Sequence, residues 1–475
     1  MLEGQTEFSI IKLSELDAIK FRIDAEFYQR RYLRLQERLA RLGSISLKVA
    51  GAKLDCSAFY PSITDQYNFE GEGIPFLRVN EIQNGLVKTT DSTAFLPQYV
   101  LDNNPTTISI AYPFDIVIAK GGNSLAKLGL LPTDFQQYAL SRDLIVMRTS
   151  FLKRNKYFVW LFFHSDFGQD LLWRTASQTG QPHLSLSSIE QLDIPIYSEK
   201  FESSAETLYK QSVKLKNESM IAYRRAETLL LATLGIVDFS PSTEAVNIKS
   251  FKDSFAATGR LDAEYYQPKF HELEAKIAET HKLISLGSVL LLNQRGTQPD
   301  YADSGLPVIN SKHVREGEVV LFDNRVANLP DNEKSLFIQK GDVLINGTGV
   351  GTIGRAAPYL HNQNAIPDNH VTILRTDKLN PIFLSVYLNS IAGKYQVDKY
   401  FKGSSGQIEL YPKDIDCFYM PLVDETIQTE IADLVQQSFT LKAESERLLE
   451  VAKRAVEIAI EQDEAAGMAY MEALT

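Results

Sequence analysis

A glycine-rich stretch in the second half of the chain has the spacing of a dinucleotide-binding loop. The sequence GTGVGTIG contains Gly349, Gly351 and Gly354 in the GxGxxG pattern, and the preceding DVLIN has the composition of a strand. A dinucleotide site also needs a long helix directly after the loop and an acidic residue about 20 positions further on. The residues that follow are interrupted by Pro358 and Pro367 and have no amphipathic pattern. A cofactor-binding enzyme is therefore the weaker interpretation, and we keep it as an alternative.

Other sequence patterns that carry catalysis are missing. An amino-methyltransferase would show a (D/N/S)PP(F/Y/W) tetrapeptide, and the nearest match, from Asn380 to Phe383, lacks the second proline. The chain has no GxxxxGK(S/T) phosphate loop, and its proline–aspartate pairs are not followed by the acid and lysine of a nuclease. Cys56 and Cys417 lie far apart and the histidines are scattered, so we expect neither a disulfide nor a metal site.

The composition is that of an ordinary globular protein. The chain has 475 residues, of which 44% are hydrophobic and 23% charged, enough for two to four domains. No apolar run approaches the length of a membrane span, and no secretory signal is recognisable, so we expect a cytoplasmic protein. The net charge of −11 indicates that the chain alone binds nucleic acid weakly.

Two copies of one sequence pattern organise the chain. FRIDAEFYQ at 21–29 returns as GRLDAEYYQ at 259–267, and further segments match in the same order, including PFDIVIAKGGNS with KGDVLINGTGVG and LIVMRT with VTILRT. Ordered matches along both halves indicate a tandem duplication. The duplication pairs GTGVGTIG with KGGNSLAKLG, which shares its glycines but not their spacing. Glycines at this place can equally let a backbone approach DNA phosphates.

The sequence of each half predicts a mixed α/β domain followed by a long helix. Short β-branched runs such as DIVIAK and DVLIN predict strands. The long helices have apolar a/d positions over about four heptads, in phase between the copies. The leucines of this seam are Leu208, Leu215 and Leu229 in the first helix and Leu434, Leu441 and Leu448 in the second. We expect each helix to pack against the other, with serine and alanine on the seam allowing a close approach; packing on its own domain is the alternative.

Together these features resemble the specificity subunit of type I restriction–modification systems. The resemblance rests on the duplicated RxDAE(F/Y)Y segments, the DVL…GTIGR loop, the GSSGQ turn and the paired terminal helices, and it covers essentially the whole chain. It implies an α+β fold in which two tandem mixed α/β target-recognition domains are joined by two long antiparallel, coiled-coil-like helices, as a pseudo-two-fold repeat. We expect recognition domains at 1–198 and 237–422, and spacer helices at 199–236 and 423–475.

The resemblance also implies a function in DNA restriction and modification, which serve phage defence. In that family the subunit is not an enzyme: each domain reads one half of a bipartite target in double-stranded DNA. The helices fix the spacing of the half-sites, and the subunit docks two methyltransferase subunits, in some complexes with motor-nuclease subunits. We expect no cofactor in this chain, with S-adenosylmethionine, ATP and magnesium bound by the partners. A solitary scaffold or regulatory relative is the alternative.

Residues that read base edges in the major groove gather in matching loops of the two halves. In the first half the candidate DNA-binding residues are Arg78, Asn80, Lys120, Asn123, Ser124, Lys127, Arg142, Gln178 and Gln181. In the second half they are Asn310, Lys312, His313, Arg315, Asn346, Thr348, Arg355, Asn369, Lys402, Ser404, Ser405 and Gln407.

The RxDAE(F/Y)Y segments are the remaining candidate site. Their charged residues recur although the surrounding domains diverge; they are Arg22, Asp24, Glu26, Arg260, Asp262 and Glu264. Because both copies keep them, we expect a framework for partner docking. The alternative is structural, since an aspartate at this place can cap the following helix.

Overall fold

The computed structural model divides the chain into two compact units. Unit 1 contains residues 1–215 and 444–475, and unit 2 contains residues 216–443. The residues that the structure describes are 9–16, 22–58, 62–90, 92–176, 182–243, 246–328, 336–403 and 406–474. Both long helices pass from one unit to the other, so each unit contains a part of each helix. The recognition domains predicted at 1–198 and 237–422 have other limits than these two units, and those limits stay a prediction.

Unit 1 is a mixed α/β structure. Its strands are β1 Ser44–Ser46, β2 Lys53–Cys56, β3 Ile74–Leu77, β4 Ile82–Gln83, β5 Leu86–Val87, β6 Ala94–Leu96, β7 Ile110–Ala111, β8 Ile116–Ala119, β9 Leu128–Leu130, β10 Tyr138–Leu140, β11 Leu144–Arg148 and β12 Asp193–Pro195. Its helices are α1 Arg30–Leu42, α2 Gln98–Asp102, α3 Lys156–His164, α4 Asp166–Thr175, α5 Leu186–Glu190 and the first part of α6 Glu199–Thr233.

The core of unit 1 lies between a sheet and an almost wholly apolar helix. One sheet has the order β2-β11-β8-β9-β5-β4, a second has the order β6-β3-β10-β7, and β1 pairs with β12. Helix α3 is buried from Tyr157 to Phe163, because its sequence is apolar around the whole circumference. Asn155 caps it by accepting from the backbone N–H of Tyr157 and Phe158. Trp160 donates from Nε1 to the carbonyl of Gly85 at 2.7 Å, which ties the helix to the β4–β5 turn.

Unit 2 repeats this plan. Its strands are β13 Leu283–Ser285, β14 Leu292–Arg295, β15 Tyr301–Ala302, β16 Leu306–Ile309, β17 Val326–Ala327, β18 Val343–Asn346, β19 Ala356–Pro358, β20 Ile366–Pro367, β21 Val371–Arg375 and β22 Tyr419–Pro421. Its helices are α7 Phe255–Thr258, α8 Pro268–Ala278, α9 Pro381–Asn389, α10 Ile391–Tyr400, α11 Pro412–Ile415 and the first part of α12 Glu425–Glu461; α13 Glu464–Ala473 follows in unit 1.

The strand pairing confirms the duplication. The order β14-β21-β18-β19 in unit 2 corresponds to β2-β11-β8-β9 in unit 1, and β13 pairs with β22 as β1 pairs with β12. Val117 lies opposite Val146 in unit 1, and Leu344 lies opposite Ile373 in unit 2. The buried helix α9 is capped by an asparagine, as α3 is. The α+β fold with two related mixed α/β parts is therefore the one that the sequence predicts.

Each unit contains an interface between the two long helices. In unit 1, Ser445 donates to the carbonyl of Ser212 at 2.8 Å, and in unit 2, Ser219 donates to the carbonyl of Ser438 at 2.8 Å. All four side chains are buried. Within unit 1 the helices run antiparallel, because Ser198, before the start of α6, bonds to Glu464 beyond the end of α12. Serine is short enough to let one helix bond to the backbone of the other.

The predicted leucine seam lies inside these interfaces. Leu208 and Leu448 are buried in the core of unit 1, where Leu215 is half-buried. Leu229 and Leu434 are half-buried against the core of unit 2, and Leu441 is half-buried as well. The first part of α6 also packs on its own domain, with the rings of Tyr209 and Trp160 5.0 Å apart. Packing of a long helix on its own domain, which was the alternative prediction, therefore occurs together with the contact between the helices.

The described residues contain neither a membrane span nor a metal site. No helix in that part of the chain is long and apolar enough to cross a membrane. The same residues contain no cluster of His, Cys, Asp and Glu that could hold a metal ion. Both cysteines are free thiols, Cys56 partly buried and Cys417 exposed.

Candidate nucleic-acid interface

The glycine-rich stretch is a hairpin loop between two antiparallel strands. Leu344 in β18 lies opposite Ala357 in β19, so the chain returns along the same sheet instead of entering a helix. The dinucleotide alternative is therefore wrong, because its helix N-terminus, which would bind the pyrophosphate, is not formed. Gly349 has φ +95°, and Gly122 at the same place of the first copy has φ +69°. This shared left-handed position explains why both loops contain a glycine there.

In unit 1 the loop after β8 lies beside two other segments. The backbone N–H of Lys120 donates to the carbonyl of Asp143 at 2.7 Å, and the carbonyl of Lys120 accepts from Leu184 at 2.8 Å. A bridge between Gly121 and His183 continues this contact. The three segments, which we call the loop junction of unit 1, are the β8–β9 loop, the β10–β11 turn and the stretch before α5.

Unit 2 contains the same loop junction, built by the same hydrogen bonds. The backbone N–H of Gly347 donates to the carbonyl of His370 at 2.8 Å, and the carbonyl of Gly347 accepts from Leu410 at 2.8 Å. A bridge between Thr348 and Glu409 corresponds to that between Gly121 and His183. The loop junction of unit 2 therefore joins the β18–β19 loop, the β20–β21 turn and the stretch before α11.

Candidate residues of unit 1 follow the carboxyl ends of neighbouring strands. Lys120, Asn123, Ser124 and Lys127 belong to the β8–β9 loop. Ser141 donates from its backbone to the carbonyl of Leu77 at 2.9 Å, which brings the segments that begin with Arg78 and Arg142 side by side. Asn80, Asn123, Lys127 and Arg142 are exposed, whereas Arg78 is half-buried and forms an ion pair with Glu81 at 3.4 Å.

Unit 2 places its candidates in the corresponding way. The backbone of Asp368 donates to the carbonyl of Ile309 at 3.0 Å, so the loops containing Asn310 and Asn369 leave from adjacent strands. Thr348 bonds through its hydroxyl to Nδ1 of His370 at 2.7 Å. The exposed side chains are Lys312, Arg315, Asn369 and Gln407, and the half-buried ones are Asn310, Thr348, Arg355 and Lys402. Lys402 forms an ion pair with Asp414 at 2.8 Å.

Two candidates of unit 2 are enclosed by protein. His313 has no exposed surface, and its ring accepts from the backbone N–H of Asn310 at 3.1 Å. Burial lowers the pKa of His313, with the charge of Lys312 acting in the same direction. Asn346 is also fully buried and donates to the carbonyl of Ser311 at 3.2 Å. Both side chains hold the loop in place, which corrects their selection as base contacts by residue type alone.

The remaining candidates and two residues that sequence reasoning missed complete the site. Four predicted candidates, Gln178, Gln181, Ser404 and Ser405, lie outside the described residues. His183 is exposed at the loop junction of unit 1, and its counterpart in unit 2 is Glu409. Arg295 donates to the carbonyl of Gly347 at 3.2 Å. The repeat could have revealed His183, whereas Arg295 reaches the loop only through the pairing of β14 with β21.

The RxDAE(F/Y)Y segments form the same small structure in both units. Arg22 binds Asp24 through Nε and Nη2, at 2.8 and 2.5 Å, and its guanidinium lies 4.5 Å from the ring centre of Phe27. Arg22 also donates to the carbonyl of Ala176 at 2.9 Å. The hydroxyl of Tyr28 donates to the carbonyl of Arg22 at 2.9 Å and closes the loop.

The second copy keeps the contacts within the segment. Arg260 binds Asp262 through two donors and lies 4.5 Å from the ring centre of Tyr265, and Tyr266 donates to the carbonyl of Arg260 at 3.0 Å. The hydrogen bond from the arginine lowers the pKa of Asp24, and likewise that of Asp262. Neither aspartate caps the following helix through its side chain. Each aspartate nevertheless stands at the N-cap position of a short helical turn and is bound to its arginine, so the structural alternative stays open and partner docking stays a prediction. We call these segments, residues 22–28 and 260–266, the Arg–Asp loops.

Comparison with known proteins gives one similar sequence and several similar structures. No family model matches the chain. It is 24% identical over 384 residues to the type I restriction enzyme EcoKI specificity subunit of Escherichia coli (strain K12), which covers 77% of this chain and 75% of that protein. The S subunit of a type I restriction–modification system from M. genitalium is 13% identical, with a TM-score of 0.37 over 91% of this chain and 94% of that one. The HsdS subunit from Thermoanaerobacter tengcongensis is 15% identical, with a TM-score of 0.27 over 87% and 97%.

Proposed function

We infer that the chain is a specificity subunit of a type I restriction–modification system, a protein that recognises DNA sequence and is not itself an enzyme. The sequence similarity extends over three quarters of this chain and of the E. coli subunit. The closed hairpin of the glycine-rich stretch removes the one motif that favoured a cofactor enzyme.

The duplicated loop junction is the observation that supports this function best. Both units use the same backbone hydrogen bonds, at Lys120 and at Gly347, to bring three loops together. The side chains presented there differ: His183 in unit 1 corresponds to Glu409 in unit 2. Histidine and glutamate offer different hydrogen-bonding groups to base edges, and a glutamate accepts from the cytosine amino group. Two such readers would recognise two different half-sites.

We further propose that α6 and α12 set the distance between the half-sites. Each helix is unbroken, from Glu199 to Thr233 and from Glu425 to Glu461, and each contributes residues to both units. The spacing of half-sites follows from protein geometry in other two-part DNA readers. Removing one heptad from both helices should therefore change the number of unspecified bases and leave both half-sites unchanged.

The proposed partners follow from the charge and from the family. With a net charge of −11, the chain alone would bind DNA weakly, and two methyltransferase subunits would supply most of the contacts to phosphate. S-adenosylmethionine would bind to these partners, and ATP and magnesium to motor-nuclease subunits where they are present. As a partner of DNA, the chain would act in the cytoplasm.

The test is to coexpress the chain with a methyltransferase subunit of a type I restriction–modification system and to map methylated adenines. We expect one bipartite motif with a gap of constant length. A continuous motif would contradict two separate readers. Absence of methylation, although the methyltransferase is bound, would favour the scaffold alternative.

A further inference from the structure

Each Arg–Asp loop exposes one large apolar side chain. Ile23, between the paired arginine and aspartate, is 82% exposed, and Leu261 at the same place of the second copy is 70% exposed. The neighbouring glutamates, Glu26 and Glu264, are exposed as well. The two loops have the same pattern of exposure at every position except the last tyrosine, which is buried at Tyr28 and half-buried at Tyr266. This surface is therefore repeated in detail, although the base-reading loops are not.

More exposed apolar residues precede each Arg–Asp loop. They are Ile10 and Leu13 in unit 1, and Ile248 and Phe251 in unit 2, at matching distances from Ile23 and Leu261. In unit 2 the side chain of Asn247 donates to the carbonyl of Tyr266 at 2.6 Å, which attaches this stretch to the loop. Clusters of exposed apolar side chains usually mark a surface that binds another protein.

The Arg–Asp loops hold their apolar residue in a fixed position before any partner binds. The arginine on one side of Ile23 or Leu261 is bound to the aspartate on the other side, and a tyrosine hydroxyl bonds to the arginine carbonyl. A fixed anchor loses little conformational entropy on binding. These bonds therefore explain why the polar residues of the motif recur together with the exposed one.

Charge and repetition decide the class of partner. Glu26 and Glu264 have no ion-pair partner among the described residues, and a carboxylate beside an apolar anchor repels DNA phosphate but attracts lysine or arginine of a protein. A second copy of this chain fits less well, because two identical sites on every chain would join chains into open polymers. Two copies of one separate protein would satisfy both sites.

We propose that Ile23 and Leu261 anchor two equivalent docking sites, each filled by an apolar pocket with a basic rim on one methyltransferase subunit. This proposal rests on the proposed function, which supplies the partner. It assigns to the Arg–Asp loops a role separate from DNA reading, and it predicts one bound methyltransferase for each intact loop.

The test measures the mass of the coexpressed complex by light scattering. The wild type should bind two methyltransferase subunits, Ile23→Glu and Leu261→Glu should each bind one, and the double variant none. Affinity at the altered site should fall at least tenfold. The controls are Val49→Glu and Leu291→Glu, since these side chains are 64% and 65% exposed but do not recur in the other copy. Both controls should still bind two subunits.

The outcomes separate this proposal from the proposed function. If both single variants bind two subunits while the wild type methylates a bipartite motif, the docking sites are wrong and the recognition function stands. If the wild type binds no methyltransferase, the proposed function fails. If the purified chain alone self-associates and the double variant is monomeric, a second copy occupies the sites and the proposal is overturned. A double variant with Ile23→Leu and Leu261→Ile keeps an apolar side chain at each site and should still bind two methyltransferase subunits.

Discussion

The loop junctions and the Arg–Asp loops are each present twice. The side chains of the loop junctions change between the copies, whereas those of the Arg–Asp loops recur. At the loop junctions the backbone hydrogen bonds recur and the side chains change, as from His183 to Glu409. In the Arg–Asp loops the side chains and their contacts recur, as in the pairs Arg22–Asp24 and Arg260–Asp262. One framework thus carries a surface that varies between the copies, which we propose reads DNA, and a surface that is constant, which we propose binds a partner.

The largest effect on DNA binding should come from the glycine that the two loop junctions share. Gly349→Val would place a β-branched residue at φ +95°, where a side chain costs about 1–2 kcal/mol and the loop must change shape. We expect about tenfold weaker binding to the half-site that we propose unit 2 reads. The measurement is competition binding by the methyltransferase complex, using duplexes altered in one half-site at a time.

The matched variant for the first copy is Gly122→Val, at φ +69°. It should weaken recognition of the other half-site and spare the one affected by Gly349→Val. Equal losses at both half-sites from either variant would contradict two independent readers. Partner number should stay at two in both variants, because the Arg–Asp loops are untouched.

The second prediction compares the two Arg–Asp loops. Arg22→Ala removes the bonds to Asp24 and to the carbonyls of Arg174 and Ala176, at a cost of about 2 kcal/mol. Arg260→Ala removes the bonds to Asp262, whose side chain is more exposed than that of Asp24, so the loss should be smaller. Urea unfolding measures both, and a larger loss for Arg260→Ala would show that the loops are held differently.

A third, smaller effect concerns the serines between the long helices. Ser445→Ala removes the bond to the carbonyl of Ser212 in unit 1, and Ser219→Ala removes the bond to the carbonyl of Ser438 in unit 2. Each should lower the free energy of unfolding by about 1 kcal/mol. Similar values would show that the two interfaces are equivalent. Thr440→Ala, which alters only a bond within α12, is the control and should have less effect.

The smallest effect is a pH dependence shared by both Arg–Asp loops. The pKa values of Asp24 and Asp262 lie below the usual value in the folded chain, because each carboxylate accepts hydrogen bonds from its arginine. Their stabilising contribution is present above the usual carboxyl pKa of about 4 and is lost as the pH falls through the lowered pKa values. The double variant with Asp24→Asn and Asp262→Asn should therefore show a smaller fall in the free energy of unfolding than the wild type when the pH drops below about 4. Urea titrations at pH 7 and pH 3 test this, and parallel losses would contradict it.

Some parts of the site could be predicted because they depend on local sequence. The strands at DIVIAK and DVLIN and the heptads of the long helices follow from residue spacing, which the structure confirms. The duplication was visible because framework residues must recur to form the same contacts. Residue type alone failed at His313 and Asn346, since both side chains are buried and hydrogen-bond to the backbone inside the fold.

The sequence by itself determined that the chain contains two related α/β parts, two long helices and a recurring RxDAE(F/Y)Y segment, because strand composition, heptad spacing and repetition are local properties. Only the tertiary structure decided which segments meet at the loop junctions, because residues such as Lys120 and Leu184 are joined by hydrogen bonds between distant parts of the chain. It also decided that Ile23 and Leu261 face solvent, against their hydrophobic character. Burial depends on what the rest of the fold places around a side chain, and no short stretch of sequence contains that information.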